Sequence, residues 1–519
     1  MTTPPPQGTA SPAEIRTVFA GLMLALALSA LDQNIVGTAL PRIVNELGGL
    51  AHLSWVVTAF MLTSTTTAPI YGKLSDLYGR KPLFFIAIAI FLAGSILCGI
   101  ARSMAQLVLF RGVQGLGAGG LLTLSQTTIA DLVSPRERGR YQGMFVAVFA
   151  ASSVAGPLLG GFITDALSWR WIFFVNLPVG LAAFLLIQIG LHRPHRTVSH
   201  RIDYAGSALL ILGTSSLLLL LSWGGERYPW LSPTILFLAA AACLLFVLLA
   251  VVERRASEPM IAPRLFGNPV VVVATAGIAL TFMTLMGALI FLPLFLQLVL
   301  GVSAAKAGLL MSPMMAGVVF SSVVGGRRVS ATGRYKRYPV IGLATALVAF
   351  LSVSRAAAVG GGLAWLEVSL VALGLGLGLV MPNLTVAIQN AVPRSDLGVA
   401  TASLSFFRSL GGALGAAISG AILTSRLSRL LPGSWATLSA VPALDSVSGK
   451  MRMPSPMNMP YPVVEAYRHA IGSTFVFGAG VAALALLVVL LLPELPLRGG
   501  AVGDDWPPAP SRPDSAGPE

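Results

Sequence analysis

"GKLSDLYGRK" occupies Gly72–Lys81. One carboxylate, Asp76, stands just ahead of Arg80 and Lys81, between apolar runs near 52–72 and 82–101. About 20 apolar residues let an α-helix cross a bilayer, so the stretch reads as a tight polar turn between two membrane helices. Gly72 and Gly79 permit close approach and left-handed backbone angles. Asp76 can face the N-terminal end of a neighbouring helix or pair with a cation. Arg80 and Lys81 can reach carboxylates or headgroups. An ordinary basic loop would also have this composition.

Working outward, such apolar runs recur near 17–40, 52–72, 82–101, 105–131, 140–164, 170–191, 203–223, 230–252, 269–297, 304–325, 338–357, 361–386, 397–424 and 470–493. The composition agrees. The chain has 519 residues, 55% hydrophobic and 10% charged, where a soluble domain carries about 25% charge. An all-α integral membrane protein of fourteen transmembrane helices is expected. The net charge of +14 could suggest nucleic acid, but inner loops of membrane proteins collect Lys and Arg. With the N-terminus inside, the inner segments hold 21 cations and the outer ones 11, five of those in a single loop, 425–469. Both termini are therefore expected in the cytoplasm, and no nucleic-acid partner is expected. The 29 Arg against 5 Lys hint at a GC-rich bacterial genome, hence a bacterial inner (cytoplasmic) membrane.

Charges inside the apolar runs cost several kcal/mol each unless they are paired or wetted. Asp32, in "LALALSALDQNIVGTALP" (Leu24–Pro41), lies ten residues before Arg42 at the outer end of its run. Arg111 lies nine residues beyond Arg102. At about 1.5 Å per residue the two reach similar depths, so they are expected to face each other or a water-filled cavity. Two roles follow for Asp32: a proton carrier whose affinity Arg111 tunes, or a static contact holding its helix. Glu367 is a second candidate proton site or an interfacial residue beside Trp365. Arg408 needs a partner that the sequence does not name. Asp131 and Asp165, near helix ends, read as structural.

Several segments carry a resemblance to a known family. Gly72–Lys81 resembles the signature loop of the major facilitator superfamily, G-x-L-a-D-r-x-G-r-k. "LVLFRGVQGLGAGG" (Leu107–Gly120) is similar to its helix-4 motif with a buried arginine. "AGPLLGG" (Ala155–Gly161) looks like the helix-5 motif of its antiporters, and "LDQNIVGTALP" (Leu31–Pro41) like the helix-1 motif of drug exporters. "EPMIAPRLFGNP" (Glu258–Pro269) and "FFRSLGGALGAAISG" (Phe406–Gly420) resemble segments of the fourteen-helix drug:H⁺ antiporter branch.

The resemblance implies a cytoplasmic tail (1–16), a six-helix bundle (17–191), and an inserted two-helix segment (192–268). A second six-helix bundle (269–493) with outer loop 425–469 and a disordered tail (494–519) would follow. It also implies a substrate site near the midplane between the halves. Gly72, Asp76, Gly79, Arg80 and Lys81, with Gly156, Pro157, Gly160 and Gly161 at the interface between halves, would form the conformational switch. The second copy of the loop, "GGRRVSATGRYKRYP" (Gly325–Pro339), keeps its glycines but lacks the acid.

Candidate cavity residues are Gln33, Asn34, Trp55, Gln126, Met283, Met286, Gln297, Asn383 and Gln389. The sequence holds no P-loop, hydrolase triad, metal cluster or cofactor motif. The expected function is export of hydrophobic or cationic drugs by alternating access, with Asp32, Arg111 and Glu367 in proton coupling. The proton gradient would supply the energy, with no cofactor. Expected partners are the small-molecule substrate, protons and membrane lipids, around a monomer. Export of a lipid or an endogenous metabolite is the alternative, and a membrane-embedded enzyme or sensor a more distant one.

Overall fold

A computed structural model describes residues 12–48, 53–191, 203–225, 227–256, 263–302, 304–359, 362–393, 396–431 and 461–497. These residues are almost wholly helical. The first bundle contains α1 (Pro12–Leu47), α2 (Leu53–Tyr78), α3 (Arg80–Gly99), α4 (Met104–Leu132) and α5 (Pro135–Ala166). Its last span is broken into α6 (Trp171–Phe174) and α7 (Asn176–Gly190). The inserted pair is α8 (Tyr204–Trp223) and α9 (Pro233–Arg255). The second bundle contains α10 (Pro269–Leu298), α11 (Ala304–Thr332), α12 (Arg337–Val359) and a span broken into α13 (Leu363–Gly378) and α14 (Met381–Ala391). It closes with α15 (Leu397–Leu430) and α16 (Tyr461–Leu490).

Among the described residues, thirteen helical segments are long and apolar enough to cross a membrane. The fourteenth expected span, α2, is 26 residues long, about 39 Å at helical rise. Its middle reads "LTSTTT", which lowers its hydropathy. Thr63, Ser64, Thr66 and Thr67 bond to carbonyls one turn back, as Thr66 does to Leu62 at 2.9 Å, which satisfies those hydroxyls without water.

The ends follow from local chemistry. Ser134 and Glu137 form a capping box at α5, Asp203 accepts from the Gly206 N–H at α8, and Asn268 from the Val270 N–H at α10. Each satisfies an orphan donor of a first turn. Gly79 and Gly333, at the two copies of the loop, take φ of 91° and 71°, angles open to glycine and costly for other residues.

The two bundles repeat one packing plan. Glycines of α4 seat it on two neighbours. A side chain at Gly115 would meet the Phe60 carbonyl of α2 at 2.5 Å, and one at Gly117 the Ala87 carbonyl of α3 at 2.5 Å. "GLGAGG" is thus a close-packing stripe. In the second bundle α13 does the same: Gly374 abuts the Met314 carbonyl of α11, and Gly376 the Gly342 carbonyl of α12.

Two expectations are corrected. The loop expected at 425–469 is shorter, because α15 runs to Leu430 and α16 starts at Tyr461. Both ends of that segment extend the helices, and 432–460 lie outside the described residues. The final tail also begins in contact: Leu495 N donates to the Tyr335 hydroxyl at 2.8 Å, and Asn390 donates to the Pro496 carbonyl at 3.2 Å. Residues 498–519 and the expected linker at 192–202 lie outside the described residues.

Candidate transport site

Asp32 of α1 and Arg111 of α4 meet at 2.5 Å, with 0% and 1% of their surfaces exposed. The other carboxylate oxygen accepts from Gln114 and Asn176, both at 2.8 Å. Arg111 also donates to Gln114 at 2.7 Å and to the Val56 carbonyl at 3.2 Å, and its guanidinium lies over the Phe60 ring. Ser95 accepts from Gln114 and Asn176 and donates to the Phe173 carbonyl. Such completeness is what a buried pair needs to survive desolvation. The network lies inside the first bundle. Ser95, Gln114 and Asn176 were missed as its members, although each is a lone polar side chain in an apolar run.

A cavity of about 800 Å³ lies between the halves, a size that suits a drug-like molecule. Its walls include Leu26, Phe145, Phe149, Phe282, Met286 and Met381, with Gln33, Gln126 and Gln142 among the polar groups. The inserted pair joins the wall: Leu218, Leu221 and Ser222 of α8 line it. Trp223 meets Trp55 edge-on at 5.5 Å between ring centres, and Thr58 and Ser222 share a hydrogen bond of 3.3 Å.

Of the nine cavity candidates, Gln33, Gln126 and Met286 line this space. Asn34 turns to its own helix, donating to the Ala30 carbonyl. Trp55 stands beside the wall on Trp223. The Met283 carbonyl packs against Gly415. Gln297 sits near the end of α10. Asn383 is fully buried and donates to the Leu379 carbonyl. Gln389 lies by the basic face, where its carbonyl accepts from Arg138 at 2.8 Å. Glu367 is half-buried, off the cavity, next to the exposed Val368. Arg408 does line the cavity.

The face that carries Lys73, Arg80 and Arg327 is sealed by contacts between the halves. On one side α2 meets the start of α15. Asp76 accepts from the Val399 N–H at 3.1 Å and pairs with Arg80 at 2.5 Å. Arg80 also bonds Asp131 at 2.8 Å. Gly72 and Gly398 leave no room for a side chain there. Asp76 lies beyond the apolar part of α2, and burial pushes its carboxyl up to about 6 against the opposing pull of Arg80. On the other side α5 meets α11. A side chain at Gly139 would strike the Gly326 carbonyl at 2.6 Å, and one at Gly143 the Ser322 carbonyl at 2.7 Å. Gly326 stands seven residues before Gly333, as Gly72 does before Gly79, and Ser330 takes the place of Asp76. The two seals thus have one geometry and different chemistry.

Lys81 instead ties α3 to α7, donating to the Gln188 carbonyl at 3.0 Å. The "AGPLLGG" glycines sit elsewhere than expected. Gly156 and Gly160 let α5 close on Asn34, Ile35 and Thr38 of α1 within the first bundle, Gly161 faces open space, and Pro157 is exposed. Gly139 and Gly143, one and two turns from the start of the same helix, make the contact between halves.

The family model of the Major Facilitator Superfamily matches residues 22–416. The chain belongs to the major facilitator superfamily. It is 41% identical over 431 residues to the multidrug transporter protein MdtP of Bacillus subtilis (strain 168), covering 83% of this chain and 78% of that protein. It is 38% identical over 421 residues to multidrug resistance protein 3 of the same bacterium, covering 80% and 81%. The crystal structure of the human organic anion transporter MFSD10 superposes with a TM-score of 0.63 at 17% identity, covering 92% of this chain and 100% of that one. At that identity the likeness speaks to the fold alone. The superfamily consists of transporters, so the chain is a multi-pass membrane transporter of small molecules and not an enzyme.

Proposed function

We propose that this transporter exports drug-sized, largely apolar compounds across a bacterial cytoplasmic membrane, in exchange for protons. One observation carries the reading: a cavity of about 800 Å³ with Phe, Met and Leu walls between two bundles that seal at the basic face. Pliable methionine and aromatic walls suit cargo of varied shape. The excess of cations on the sealed face supports a cytoplasmic placement of that face. The cavity walls reach Thr58 of α2, Ser222 of α8 and Thr424 of α15, near the opposite ends of those helices. On this orientation it is the state in which an exporter releases cargo. The proton would load at Asp32, one residue before cavity-lining Gln33, and bias the two states through their different affinity for it. The chain would act as a monomer in lipid, with the proton gradient as its only energy source. The names of the two bacillus relatives agree with drug efflux.

The test is a panel of toxic compounds on cells with and without the gene, followed by purified protein in liposomes. A pH gradient should drive uptake of a compound the gene protects against, and a protonophore should abolish it. Equal sensitivity of both strains across the panel would sink the export reading. Transport indifferent to the gradient would sink the proton coupling.

A further inference from the structure

The membrane-embedded core of this chain holds two central arginines, and their surroundings differ. Arg111 is neutralised: Asp32 lies 2.5 Å away, and Gln114 and the Val56 carbonyl accept two more of its N–H groups. Arg408, on α15, lines the cavity instead. Its guanidinium lies over the Phe282 ring of α10, 5.3 Å from the centre, and among the described residues no hydrogen bond or ion pair engages it. Among the described residues, the cavity lining contains no aspartate or glutamate and no second cation. The transport space between the halves therefore carries one net positive charge in apolar walls.

The position of Arg408 follows from the packing of α15. Gly411 and Gly415 close on the carbonyls of Ala279 and Met283. Ser405, Ser409, Gly412 and Ala416 belong to the cavity wall, so Arg408 falls on the face turned to the cargo. The ring of Phe282 shields one face of the guanidinium and leaves its edge for a ligand. Arg is suited to this role, since it stays charged and offers a planar fork that matches a carboxylate or sulfonate.

We infer that the cavity selects amphipathic organic acids, an anionic head bound at Arg408 with an apolar body against Phe145, Phe149 and Met286. The inference rests on the export reading above and narrows its substrate class. It displaces the expectation of cationic drugs: a cation entering this space would meet the like charge of Arg408 and would find no carboxylate among the described lining residues.

The experiment uses the purified full chain in detergent and in liposomes, with two probes of one shape: dansylaminoundecanoic acid and its primary amide. At neutral pH the acid should bind at least about tenfold more tightly than the amide, as charged hydrogen bonds allow. Arg408→Gln should remove most of that preference by weakening acid binding far more than amide binding, and an unfolding midpoint equal to the parent's shows that the variant is folded. Arg408→Lys keeps the charge and loses the planar fork, so it should keep part of the preference. Equal affinities for acid and amide in the unmodified protein would overturn the inference, as would an equal loss of both probes in Arg408→Gln. Liposome transport is read separately. Preferential binding of the acid without transport of either probe would overturn the export reading and leave the site standing. Transport of both at equal affinity would do the reverse.

Discussion

Asp32 and Arg111 form an ion pair at 2.5 Å in the interior of one bundle, with both carboxylate oxygens hydrogen-bonded, one to Arg111 and the other to Gln114 and Asn176. Removing one partner of such a pair strands the other charge at a cost of about 3–5 kcal/mol, while removing both costs far less. Asp32→Asn is therefore expected to lower the midpoint of heat unfolding in detergent, and adding Arg111→Gln to recover most of it. The role in coupling is separable. If Asp32 carries the proton, both variants lose gradient-driven transport while still binding cargo, without the part of the pH dependence that Asp32 contributes. A double variant that is stable and still pumps against a gradient would reduce the pair to a helix clamp.

The glycine contact across the halves makes a steric prediction. Gly139 and Gly326 touch through their backbones, so Gly326→Val places methyl groups where the Gly139 carbonyl stands. The basic face can then close only with a shift of α5 against α11, and overpacking of this kind costs about 1–3 kcal/mol. Transport should fall about tenfold or more. The state open at the basic face should gain population. A cysteine introduced for Gln142, on the cavity wall, reports this in a background lacking Cys98 and Cys243. An impermeant maleimide applied from the basic face should label it faster in Gly326→Val than in its parent. Unchanged labelling would remove Gly139 and Gly326 from the seal.

Asp76 gives the seal a pH dependence with a definite sign. Burial in the closed state pushes its carboxyl up to about 6, against an ordinary value of 3.8. Opening α2 from α15 would return it toward the ordinary value. The closed state then binds a proton more tightly than the open one, so protonation favours closure. This contribution is fully present below about pH 3.8 and is lost as pH rises through about 6. Distances between spin labels across the basic face should show more closed protein at pH 5 than at pH 7. Asp76→Asn should flatten that response. The α5–α11 side holds Ser330 at the matching place and should add nothing to it.

The spans, the loop motif and the depth of the buried charges were legible because they depend on chain length and apolar runs, which a bilayer converts directly into structure. The direction of a side chain was not. Consecutive residues on a helix point about 100° apart, so Asp32 enters the bundle core, Gln33 the cavity and Asn34 the α5 contact. Nothing in "DQN" orders those fates, because a polar side chain suits a buried network, a cavity wall or a helix contact alike. Gly139 and Gly143 were passed over for the denser "AGPLLGG" because glycine density marks close packing but not the partner. The breaks that leave α6 apart from α7 and α13 apart from α14 were invisible in apolar composition. The wall supplied by α8 was equally hidden, since its leucines suit lipid, a helix partner or cargo alike.

That wall carries the last prediction. If α8 and α9 only spaced the two bundles, changes on α8 would alter stability and leave cargo selection alone. Leu218, Leu221 and Ser222 instead border the cavity, and α8 is held there by the Trp55–Trp223 edge contact and the Thr58–Ser222 hydrogen bond. Trp223→Ala forfeits an aromatic pair worth about 0.5–1.5 kcal/mol beyond its area, which frees the end of α8 from α2. KM should rise several-fold for every transported compound, with kcat little changed, because the loss falls on binding. Leu218→Trp should act by size, since the added ring takes up space in a cavity of about 800 Å³. Bulky cargo should suffer a large rise in KM and compact cargo almost none. A Leu218→Trp protein whose KM values are all unchanged would place α8 outside the transport path.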